Sequence, residues 1–96
     1  SGGVALLQIL GIYERVRGED PPPPESAAYI HLLTEAMKHA FADRAEPLAD
    51  PAFAEVPVPR LLDPAYLDER AALVDPRRTK KPAAYGSAAE PAEASA

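Results

Sequence analysis

Twelve prolines interrupt the 96 residues, four of them in a row at Pro21–Pro24 and five more between Pro47 and Pro64. Each fixes its own φ, lacks an amide hydrogen and disfavours helix in the residue before it, so no long helix can cross these points. Uninterrupted structure is confined to short stretches, chiefly 1–20, 25–46 and 65–75. A chain of this length forms one small domain at most, and it buries too little surface to be stable by a wide margin without a partner.

In the first stretch Val4, Ala5, Leu6, Leu7, Ile9, Leu10, Ile12, Tyr13 and Val16 cover most of a helix's circumference. A helix over Gly3–Val16 that is apolar nearly all round requires burial on more than one side. A buried strand over Val4–Leu10 fits the same run, since periodicity alone does not separate the two. Gly18 and the four prolines end the element.

Ser26 suits the N-cap of a second helix, its hydroxyl accepting from a free amide of the first turn. From Ala27 to Ala45 the spacing of Tyr29, Ile30, Leu33, Met37, Ala40 and Phe41 predicts one apolar face, widened by Leu32 and Ala36. His31, Glu35, Lys38, His39 and Asp43 fall on the other side, which predicts a solvated or interface-facing polar stripe. Asp50-Pro51-Ala52-Phe53 reads as a turn and Val56-Pro57-Val58-Pro59 as extended chain. Asp63-Pro64 then provides an N-cap and a first-turn proline for a third helix through Tyr66, Leu67, Arg70, Leu73 and Val74, running to about Asp75. After Pro76 the mixture of Lys, Arg, Pro, Ala, Ser and Glu offers too little apolar surface to offset ordering entropy, which predicts disorder over 76–96. The fold class expected is therefore mainly α: three helices with Pro-rich connectors and a disordered tail, divided into a helical segment 1–75 and a flexible tail or linker 76–96.

Composition narrows the chemistry. There is no cysteine, hence no disulfide framework and no thiol catalysis. The net charge of −5 argues against nucleic acid as a partner, and the basic run Arg77-Arg78-Thr79-Lys80-Lys81 reads as solvated. No apolar run reaches the roughly 18 residues that span a bilayer, and Val4–Val16 has no basic segment before it that would make it a signal peptide. A targeting signal, if the parent protein is exported, is expected upstream.

Candidate reactive groups each have a structural reading. His31 and His39 are eight residues apart, without the HExxH pattern of a helical zinc site, so no metal site is expected. Among the hydroxyls, Ser26 serves as a cap, Thr34 lies within a helix, and Ser1, Thr79, Ser87 and Ser95 occupy ends of the chain expected to be mobile, whereas nucleophilic catalysis needs a hydroxyl with a positioned base. Ser1-Gly2-Gly3 belongs to neither phosphate-binding glycine pattern. No catalytic, substrate-binding, cofactor-binding or metal-ligating residue is expected, and no cofactor.

Three blocks in order resemble the γ-glutamyltransferase family. Ser1-Gly2-Gly3 with the apolar run to Leu10 resembles the Ser-Gly-Gly entry and helix of that family's large subunit. Ile30 to Arg44 resembles its next helix, which ends in Ala-Asp-Arg. Leu48-Ala49-Asp50-Pro51-Ala52-Phe53, Val56-Pro57-Val58 and Leu61-Leu62 are similar to its Leu-Gly-Asp-Pro-Asp-Phe, Val-Pro-Val and Leu-Leu segments. The similarity covers about residues 1–75. Pro47 replaces an aromatic residue, Ala49 a glycine and Ala52 an aspartate, and the Pro21–Pro24 connector is unusual.

The resemblance implies a C-terminal piece of the large subunit of an α/β N-terminal-nucleophile hydrolase, made as a precursor that cuts itself in two. The partners implied are the rest of the large subunit and a small subunit whose N-terminal threonine attacks the γ-glutamyl amide of glutathione or a similar small molecule. The free α-amino group beside that hydroxyl serves as its base. The acyl group passes to water or an amino acid, and the parent is expected to be periplasmic or extracellular. Related acylases and a non-catalytic helical interaction module are the alternatives.

Overall fold

The computed structural model describes residues 2–44 and 58–86. Four helices follow one another there: α1 (Gly2–Val16), α2 (Ala27–Arg44), α3 (Val58–Leu61) and α4 (Pro64–Ala72), with a 3-10 turn at Pro82–Ala84. Among the described residues there is no strand beyond one isolated antiparallel bridge between Asp75 and Arg78, so Val4–Leu10 is helix. The turn expected at 50–53 lies outside the described residues, as do Ser1, Ser87 and Ser95.

The boundary residues act as their chemistry dictates. Gly18 sits at φ 69° just past α1, the left-handed position that favours glycine after a helix. The Ser26 hydroxyl accepts from the Tyr29 amide at 3.1 Å, and the Asp63 carboxylate accepts from the amides of Ala65 and Tyr66 at 3.0 and 3.3 Å, with Pro64 in the first turn of α4.

Two boundaries differ from the sequence reading. Val58 and Pro59, read as the end of an extended stretch whose first two residues lie outside the described ones, open a single helical turn, Val58–Leu61, closed by Leu62 N–H on the Val58 carbonyl at 3.3 Å. Pro59 is tolerated because first-turn amides have no partner within the helix in any case. The third long helix stops at Ala72, where Leu73 and Val74 tighten onto the Arg70 and Ala71 carbonyls.

The core lies where α1, α2 and α4 meet, built from Ile9, Ile12, Ala36, Ala40 and Leu67, with Tyr13, Val16, Leu33, Met37 and Ala71 packed around it. Gly11 permits the close approach of α1 to α4: a β-carbon there would stand 2.9 Å from Leu67 Cδ1. Tyr13 and Tyr29 meet edge to face, with ring centroids 5.7 Å apart. Arg15 ties α1 to α4 through Asp68 at 2.6 Å.

The apolar circumference of α1 is only partly used. Ala5, Gln8, Ile9 and Ile12 are buried, whereas Leu6, Leu7 and Leu10 are 53–56% exposed.

Candidate functional site

α2 buries much of the face its hydropathy selects, and with it part of the polar stripe beside that face. Its buried residues are Leu32, Glu35, Ala36, His39, Ala40 and Asp43, so half of the inward row is polar, while Ile30 and Phe41 are about half exposed. Three members of the stripe expected to be solvated or interface-facing are thus enclosed within the chain, with Glu35 at 1%, His39 at 0% and Asp43 at 6% exposure. Burying three titratable groups on one helix is unfavourable unless each finds partners, and the partners come from distant parts of the chain.

Glu35 accepts from the Tyr85 hydroxyl at 2.7 Å, from the Thr79 hydroxyl at 3.1 Å and from the Lys38 ammonium at 3.1 Å. Lys38 also donates to Thr79 Oγ1. His39 Nδ1 accepts from the Gly86 amide at 2.8 Å, and the Gly86 carbonyl accepts from Arg70 Nη1 at 3.1 Å. Asp43 Oδ2 accepts from Gln8 Nε2 on α1 at 2.8 Å and from the Tyr66 hydroxyl on α4 at 2.6 Å. The Arg70 guanidinium lies over the Tyr66 ring, 4.5 Å from its centroid, and the His39 and Tyr85 rings meet edge to face at 5.0 Å. His31, the first member of the stripe, stands apart and bonds the Asp75 carbonyl at 2.7 Å.

Residues 76–86 are therefore ordered against α2 in place of the disorder expected of them. Little apolar area holds this segment beyond the buried ring of Tyr85. It is held by Tyr85, 4% exposed, and by the row of hydrogen bonds from Thr79 to Gly86. Arg77, Arg78 and Lys81 remain exposed as expected of the basic run, whereas the Lys80 amide donates to the Tyr85 hydroxyl at 2.9 Å. The last described residue is closely fitted. Gly86 adopts φ +67°, and a β-carbon on it would stand 2.7 Å from Asp43 Oδ1 and 2.9 Å from Ala42 Cβ. Only glycine meets both demands.

Protonation states follow from the contacts. Burial pushes the Glu35 carboxyl up, but the hydrogen bonds from Tyr85, Lys38 and Thr79 together outweigh it and hold the group below its usual range. The bond to Glu35 raises Lys38 against the opposing effect of burial. Lys38 therefore stays protonated and is no base for Thr79, the described hydroxyl that comes nearest to a nucleophile with a partner. Burial first, and then the Arg70 charge, lower His39 to about 4. His39 is neutral at pH 7, and because Nδ1 accepts from Gly86 its hydrogen sits on Nε2. Burial and donation to Asp43 push Tyr66 well up. No group of three His, Asp or Glu side chains among the described residues is placed to hold a metal ion.

Thr79, Tyr85 and both backbone groups of Gly86 are engaged by Glu35, His39 and Arg70, so the cluster grips a peptide segment, while Gln8 Oε1, His39 Nε2 and Arg70 Nε are buried with no hydrogen-bond partner among the described residues. The residues that complete it, Gln8, Tyr66, Arg70, Tyr85 and Gly86, were not singled out as functional from sequence. Their signals were weak: a glutamine in an apolar run, and a lone Tyr-Gly in a tail of alanine and proline.

The sequence model of gamma-glutamyltranspeptidase matches residues 1–96. A glutathione hydrolase proenzyme of Pseudomonas aeruginosa is 59% identical over 78 residues, covering 79% of this chain and 14% of that protein. The Acylase ACY 1 proenzyme of Pseudomonas sp. (strain SE83) is 47% identical over 95 residues, covering 97% of this chain and 16% of that protein. The solved gamma-glutamyltranspeptidase from Pseudomonas nitroreducens complexed with L-DON superposes with a TM-score of 0.70 at 41% identity, over 93% of this chain and 27% of that one. The chain thus spans 14–16% of these two curated relatives. With the match running from the first residue to the last, the chain belongs to the γ-glutamyltranspeptidase family.

Proposed function

We propose that this chain is a non-catalytic structural part of a γ-glutamyltransferase, lying toward the C-terminal end of its large subunit. The parent cleaves the γ-glutamyl bond of glutathione and transfers the γ-glutamyl group to water or an amino acid. Its nucleophile is the N-terminal threonine of a small subunit released when the precursor cuts itself, within an α/β N-terminal-nucleophile fold. The parent is periplasmic or extracellular. The observation that carries this reading is the family match over 1–96 together with relatives that are themselves glutathione hydrolase proenzymes. The matched stretch also fills 27% of the solved chain against 14% of the proenzyme, in keeping with a precursor divided into shorter chains. Within the described residues the engaged state of Thr79 and Lys38 agrees with a scaffold role.

A chromogenic γ-glutamyl anilide tests it: the parent protein should release the aniline and the isolated chain should not. Release by the isolated chain, lost on substituting one of its residues, would contradict the scaffold reading.

The acylase similarity, which covers 97% of the chain, favours one second reading, a related enzyme that removes an acyl side chain from an amide such as a β-lactam. Comparing the two substrate types on the parent separates them.

A further inference from the structure

We infer that the polar stripe of α2 is a register latch for self-cleavage of the precursor: Glu35, His39 and Asp43 grip Thr79, Tyr85 and Gly86 so that the chain leaving Gly86 is aimed at the processing site. This rests on the proposed function, in which a downstream threonine hydroxyl opens the precursor. That hydroxyl adds to the carbonyl carbon of the peptide bond before it. Its proton passes to the departing amino group, an ester forms, and water hydrolyses the ester to a carboxylate and a free N-terminal threonine.

Three observations carry the inference. First, the grip is polar where an apolar one would be simpler. Leu or Ala at positions 35, 39 and 43 would press a segment against α2 without determining which residue stands where. The contacts of Tyr85 with Glu35 at 2.7 Å and of Gly86 with His39 at 2.8 Å set the register to a single residue. Buried polar groups retained for register are the best attested use of such an arrangement. Second, Gly86 is the most constrained of the gripped residues described: it is left-handed, leaves no room for a β-carbon beside Asp43 and Ala42, and is held through both its amide and its carbonyl. A latch that served only to cover α2 would not need a residue held from both sides. Third, the residues from Ser87 to Ala96 contain no threonine, so a threonine nucleophile downstream of Gly86 lies beyond Ala96. Release of the segment back to Pro76 adds ten residues to the tether between the grip and such a threonine. By the length dependence of loop closure, a lengthening that at most doubles the tether lowers the frequency of productive encounter by at most about threefold, before any loss of aim is counted.

Glu35, His39, Asp43, Tyr85 and Gly86 are positioning residues in this scheme and touch no reacting atom. The test uses the full-length precursor, with Tyr85→Phe and Gly86→Ala followed by the fraction cleaved over time on denaturing gels. Thermal midpoints and the γ-glutamyl anilide kcat/KM of whatever has matured are measured beside it. Thr34→Ala, at an exposed position of α2, serves as the control. The latch predicts that both variants cleave more slowly than wild type, by up to about threefold from tether length alone, while the mature fraction of Tyr85→Phe keeps wild-type kcat/KM whatever its shift in thermal midpoint. Should Gly86→Ala fail to fold, Tyr85→Phe decides alone, since it removes one hydroxyl. Wild-type cleavage rates in Tyr85→Phe, or slowing matched by an equal loss in Thr34→Ala, overturn the latch. A wild-type precursor that neither cleaves nor releases aniline overturns the functional reading beneath it, which is a different result.

Discussion

His39 is the residue on which acid should act first. Its imidazole is neutral in the folded chain, lowered to about 4, and returns to about 6.5 when unfolded. The unfolded state therefore binds more protons between these values, and stability falls as pH drops through that window, by up to about 3 kcal/mol in all. A proton on Nδ1 would also face the Gly86 amide donor to donor. Glu35 works in the same direction at lower pH: its folded carboxyl is held below the ordinary 4.5, so its contribution is present above that value and lost beneath it. Melting followed from pH 7 to pH 4 should show this decline, and His39→Gln, whose amide oxygen can accept from Gly86 without titrating, should flatten it. Gly86→Ala forces a β-carbon against Asp43 at a left-handed φ and should cost about 1–3 kcal/mol in a denaturant titration.

Helix starts and stops could be read from sequence because capping is local. Gly18, Ser26 and Asp63-Pro64 each act on an amide or carbonyl a few residues away. The polar part of the buried face of α2 could not be read that way. Local hydropathy assigns Glu35, His39 and Asp43 to solvent, and what reverses the assignment is Tyr85 and Gly86, 50 and 47 residues from the groups they meet. The ordering of 76–86 was hidden for the same reason, since one buried ring, Tyr85, and a row of long-range hydrogen bonds hold the segment, and neither shows in composition. The apolar surplus of α1 was legible and remains open, with Leu6, Leu7 and Leu10 unpacked. Leu7→Ser should change the stability of the isolated chain by no more than about 0.5 kcal/mol, whereas in a parent that covers this face the loss should reach about 2–4 kcal/mol. Paired thermal melts of chain and parent measure the difference.

Across the whole molecule, the open face of α1 together with half-exposed Ile30, Phe41 and Val58 describes a unit with more apolar surface than its own core uses. An isolated chain of this kind should bind hydrophobic dyes and self-associate in sedimentation, and a dye-negative monomer with a cooperative transition would mark it as complete in itself. The family placement, carried in sequence by the order of three motif blocks, agrees with the match over 1–96. The blocks contained no sign that the stripe in the middle one is a grip for the tail.

That grip is tested most directly by hydrogen exchange resolved to single residues in the parent protein. The amides of Lys80 and Gly86, which donate to the Tyr85 hydroxyl and to His39 Nδ1, should be protected well above free-peptide rates, and His39→Ala should release Gly86. Free-peptide exchange at both amides in the unaltered protein would contradict a tail locked on α2.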